Sequence, residues 1–122
     1  MEPTKKSNID IMFEMQDNSM NNGLSNAIVK GDILTVREIP SNLWKSNSNR
    51  LTGFIIVVCE EMNIVGKVLK YSQGEYLTLI KLNPDILNIR VRMNNIKTIF
   101  AIIQITRIIE EPKPYCHDIQ NN

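Results

Sequence analysis

The chain reads as a succession of short apolar runs cut by polar turn clusters. From Ile9 to Met15, apolar residues alternate: Ile9, Ile11 and Phe13 fall on one side and Asp10, Met12 and Glu14 on the other, which predicts a strand. Residues 16–31 carry Asn, Ser and Gly and read as a loop with one helical turn at most. Asp32 to Ile39 is a second strand, ended by Pro40. Ser41 to Thr52 is the most polar insertion, with Leu43 and Trp44 as its apolar anchors.

Phe54 to Cys59 is a continuous apolar run, as expected of a buried strand. Residues 60–63 make a turn, and Ile64 to Tyr71 returns as the second arm of a hairpin. After a turn at residues 72–75, Tyr76 to Leu82 is the next strand, and Asn83-Pro84-Asp85 breaks the chain. Ile86 to Met93 fits either strand or loop. Thr98 to Ile109 is β-branched and long, and residues 110–114 terminate it. Many short strands and no helix of ordinary length predict an all-β, barrel-like domain over residues 9–110. Flexible ends are expected at residues 1–8 and 111–122.

Composition narrows the function. With 122 residues, 43% hydrophobic and 22% charged, the chain suits one soluble domain. A net charge of +1, with basic residues scattered, offers no electrostatic case for nucleic-acid binding. No apolar stretch is long enough to span a membrane, and Asp10 and Glu14 interrupt any signal-peptide core. The expected location is cytoplasmic, with no membrane partner. There are two cysteines. Cys59 continues an apolar strand and reads as a buried free thiol. Cys116-His117-Asp118, in the tail, supplies too few ligands to close a zinc site. No metal and no cofactor are expected.

The candidate chemistry is a serine and a lysine. Ser19 follows an apolar run, in Asp17-Asn18-Ser19-Met20. Lys67 lies inside the apolar run from Ile64 to Leu69. A serine hydroxyl becomes nucleophilic when a base takes its proton, and a lysine amine is that base only when uncharged. Burial disfavours the ammonium and lowers the pKa from about 10.4. Lys67 and Lys70 point to opposite faces of the strand, and periodicity does not decide which is inward. Asp32 reads as a turn residue. Glu60 and Glu61 read as solvated turn residues, and either would oppose activation if it approached Lys67.

The ordered set Ser19-Met20, Gly31-Asp32-Ile33-Leu34, Phe54 to Val58, Val65-Gly66-Lys67-Val68, Leu82-Asn83-Pro84-Asp85 and Ile99 to Ile109 resembles a known family. It is similar to the serine–lysine peptidase domain of LexA, UmuD and phage repressors, related in fold to signal peptidase. The resemblance spans roughly residues 10 to 110. It implies a LexA-like peptidase fold and activity, with Ser19 as nucleophile and Lys67 as base. Asp17, Asn18 and Met20 would surround the nucleophile, and backbone N–H groups at or beside Ser19 would hold the oxyanion. It also implies a homodimer paired through the C-terminal strand, as in the family's damage-response (SOS) proteins.

The chain departs from that pattern in having only eighteen residues before Ser19, with no helix-turn-helix domain. Nor does an Ala-Gly or Cys-Gly dipeptide precede Ser19. The expected substrate is therefore a peptide or protein cleaved in trans. The alternatives are a catalytically silent dimerisation or partner-binding module of the same fold, and a small β-barrel binding module.

Overall fold

The computed structural model describes residues 10–45, 51–69 and 74–109. Seven strands form one antiparallel sheet: β1 (Ile11–Glu14), β2 (Ile33–Ile39), β3 (Phe54–Cys59), β4 (Asn63–Val68), β5 (Tyr76–Ile80), β6 (Ile89–Arg92) and β7 (Ile96–Thr106). Their order across the sheet is β1-β2-β7-β3-β4-β5-β6. The expected all-β class holds, with single 3-10 turns at Ser41–Leu43 and Met93–Asn95. Closure into a barrel does not occur: the sheet is open, with β1 and β6 at its two edges.

What replaces closure is burial of both faces. β3 shows this most directly. Ile55 and Val57 face one core with Trp44, Leu51, Ile64, Val68, Leu77, Leu79, Val91, Ile96 and Ile99. Ile56, between them in sequence, belongs to a second core with Met15, Met20, Ile28, Leu34, Val36 and Phe100. A strand apolar at every position is what a sheet covered on both sides requires. β7 divides in the same way, Ile99 going to the first core and Phe100 to the second.

The polar insertion after β2 is anchored by Trp44, whose indole N–H donates to the Ile39 carbonyl at 3.2 Å. Leu43, the other expected anchor, is 39% exposed, and Leu51 is buried in the first core instead. The ambiguous stretch from Ile86 to Met93 contains β6. β7 begins earlier than expected, at Ile96, and ends at Thr106. Lys70, the two expected flexible ends and Cys116-His117-Asp118 lie outside the described residues.

Candidate active site

The loop between β1 and β2 carries Ser19, and buried contacts fix its course. Met20 and Ile28 are fully buried in the second core, and the Ile28 N–H donates to the Met20 carbonyl at 3.0 Å. At the loop's base, the Met15 N–H donates to the Asp32 carbonyl and the Gly31 N–H to the Met15 carbonyl. Gly31 has a φ of 96°, a left-handed conformation that favours glycine. Asp32 is 1% exposed. Its carboxylate accepts the Val29 N–H and two bonds from Arg107, just beyond β7. The Arg107 guanidinium holds the Asp32 carboxyl below its ordinary range. Asp32 thus keeps its expected turn role and also ties the loop to β7.

A second segment grips the backbone at Ser19. The Asn83 N–H donates to the Ser19 carbonyl and its side-chain amide donates to the Asn18 carbonyl, both at 3.1 Å. The Leu82 N–H reaches the Met20 sulfur at 3.5 Å. Asn18 Oδ1 accepts the Lys30 N–H. The turn Asn83-Pro84-Asp85, first read only as a breaker, therefore clamps the loop that bears the serine.

Lys81, two residues before this turn, supplies an amine. Lys81 Nζ lies 3.1 Å from Ser19 Oγ. It also donates to the Val65 carbonyl at 2.6 Å. Burial pushes the Lys81 amine below its ordinary value, while the nearby Asp17 carboxylate pulls it back up. Asp17 Oδ1 accepts the Ser19 backbone N–H at 2.9 Å. That bond, the largest cause, holds the Asp17 carboxyl below its ordinary range.

Lys67 does not take part. Ile64, Gly66 and Val68 turn inward on β4, so Lys67 is exposed, in register with Phe54 and Ile80. β4 does reach the site, but through the backbone carbonyl of Val65. Of the expected site residues, the structure brings together Ser19, Asp17, Asn18 and Met20, and it is Lys81, not Lys67, that lies within hydrogen-bond reach of Ser19. Alternation does not announce Lys81: continued past β5 it would put the residue on the side of Leu77 and Leu79, which face the first core, whereas its amine reaches the serine loop seated on the second.

Ser19 is 8% exposed, at the wall of a cavity of about 320 Å³. Phe13, Met15, Leu34, Ile56 and Val65 make its apolar lining, and Glu14, Gln16, Asp17, Asn63 and Lys81 its polar one. Cys59 is half-buried rather than fully buried; burial pushes its thiol up, and it lines a separate groove. Among the described residues, no group of three or more His, Cys, Asp or Glu is arranged to hold a metal. No helix among them is long and apolar enough to cross a membrane.

No protein-family model matches this chain, and no curated protein matches its sequence.

Proposed function

We propose that this domain is a serine–lysine peptidase of the LexA-like kind, with Ser19 as nucleophile and Lys81 as general base. The observation that carries the reading is the 3.1 Å approach of a partly buried, deprotonation-prone amine to a nearly buried serine hydroxyl beside a cavity. A lysine that only solvates a strand has no reason to point inward and lose its water.

The chemistry follows from the pair. Neutral Lys81 takes the Ser19 proton as Oγ attacks a peptide carbonyl, forming a tetrahedral oxyanion. Collapse breaks the C–N bond; the Lys81 ammonium returns its proton to the leaving amine, and an ester to Ser19 remains. Lys81 then takes a proton from water, which hydrolyses the ester and restores the hydroxyl. The Val65 carbonyl fixes the amine throughout by accepting one of its N–H bonds. The apolar lining suits a segment with apolar side chains, in a peptide or protein supplied in trans.

The test is digestion of a complex peptide library by the purified protein, with products read by mass spectrometry. Wild type is expected to cut, and Ser19→Ala and Lys81→Ala to leave the library intact, a loss of at least about 10³-fold. Equal cutting by either variant would sink the reading.

One observation favours an assembly role alongside catalysis. β3 pairs with β7 only as far as Ala101, and beyond it Ile103 and Ile105 are 46% and 40% exposed. Pairing of this segment across a two-fold axis would cover them. Light scattering should then give a dimer mass, reduced to a monomer in Ile103→Lys/Ile105→Lys. A wild-type monomer at high concentration would exclude it. A cytoplasmic location belongs to the same proposal.

A further inference from the structure

The bonds around Ser19 run in a direction that chemistry must reverse. The Ser19 backbone N–H is the kind of donor that an oxyanion on an Oγ adduct needs, yet it is spent on Asp17 Oδ1 at 2.9 Å. Lys81 Nζ, meanwhile, donates towards Ser19 Oγ. An attacking serine needs the opposite arrangement: its O–H aimed at a lone pair on the amine, and its N–H free for the developing charge.

We propose that the Asp17 carboxylate is a built-in restraint on this site, occupying the Ser19 amide until a substrate carbonyl displaces it. The inference rests on the Ser19–Lys81 reading. Asp17 is exposed and can swing into solvent, whereas Ser19 is held by Asn83 and by the buried Met20. While it stays, its negative charge also favours the ammonium form of Lys81. When it leaves, the amide is freed and the amine loses the charge that holds its proton. Asp17 is thus a positioning residue that couples substrate entry to activation.

The charges around Lys81 are few. Glu14 at the end of β1 is the other carboxylate lining the cavity; β2, β3 and β4 line it with Leu34, Ile56, Asn63 and Val65, none of them titratable. In the turn after Lys81, Asp85 is exposed and its N–H is bonded to Asn83. Asp17 is the carboxylate that acts on the amine.

The experiment uses two variants and two readouts. Asp17→Asn keeps an oxygen for the Ser19 N–H and removes the charge. Asp17→Ala also empties the amide. The first readout is the titration midpoint of Lys81, followed by NMR of its side-chain carbons. It should fall by about half to one pH unit in Asp17→Asn relative to wild type. The second is the rate of acylation by a serine-directed fluorophosphonate, read by intact mass at alkaline pH. It should rise about threefold or more in Asp17→Ala.

An unchanged midpoint in Asp17→Asn would overturn the proposal, as would acylation of Asp17→Ala at or below the wild-type rate when wild type is labelled. No labelling of any protein would sink the peptidase reading and the restraint with it, whereas labelled wild type with unchanged or slower Asp17→Ala would sink the restraint alone.

Discussion

An amine hydrogen-bonded to a serine works as a base only in the fraction of molecules that have lost its proton, so the protonation of Lys81 governs the site. Its burial lowers its proton affinity in the folded state below the ordinary value of 10.5. Between the two values the unfolded chain binds more protons than the folded one, so stability rises with pH there. Below that window the buried ammonium weighs against the fold; above 10.5 the penalty is gone. Wild type should therefore gain stability relative to Lys81→Met as pH is raised from about 7 to about 10. Paired thermal melts check this, and a difference that does not change with pH would contradict it. Lys67 shows why the inward lysine is hard to read from sequence. Both lysines sit in apolar runs, and a run apolar at every position gives no inward face. The β4 lysine is exposed because Ile64, Gly66 and Val68 take the inward positions. Lys81 lies one residue past the end of β5, where strand alternation no longer fixes direction.

At the scale of elements, the site depends on a close approach of strands. A Cβ on Gly66 would lie 2.7 Å from the Cβ of Leu79. β4 and β5 pair over just two positions, Lys67 with Ile80 and Val68 with Leu79. Val65, adjacent to Gly66, carries the carbonyl that anchors Lys81. Gly66→Ala should push β4 and β5 apart and cost about 1–3 kcal/mol in urea unfolding. It should also weaken the Val65–Lys81 bond, so acylation of Ser19 should fall more than stability does. Normal stability in this variant would show that the contact relaxes freely. The strands themselves were legible, since apolar runs and turn clusters mark them. Their ends were less so: β7 starts two residues before the Thr98 expected from its β-branched run, because Ile96 is buried in the first core. The breaker at Asn83-Pro84-Asp85 was plain in sequence, but its grip on Ser19 joins residues sixty-odd positions apart and no local pattern announces it.

For the molecule as a whole, two cores on opposite faces of one open sheet divide the labour. The core around Trp44 and Leu77 holds β3 to β6 together. The core around Met20 and Phe100 seats the loop that carries Ser19. Lys81 bridges the two, since it follows a strand of the first and bonds to the serine loop of the second. Alternate residues of β3 and β7 serve both cores, so the same two strands couple them. Met20→Ala should cost about 2–5 kcal/mol by opening a cavity beneath Ser19. Composition and turn signals predicted the all-β class, but barrel closure did not follow from them. Strand count and spacing do not specify whether the edge strands meet.

The central claim is that Lys81, and not Lys67, activates Ser19. The most direct test is intact-mass labelling by a fluorophosphonate from about pH 7 to about pH 10, on wild type, Ser19→Ala, Lys81→Ala and Lys67→Ala. Wild type and Lys67→Ala should each take a single label, at a rate rising with pH, and the other two should take none. Labelling of Lys81→Ala at the wild-type rate, or loss of labelling in a folded Lys67→Ala, would contradict the account.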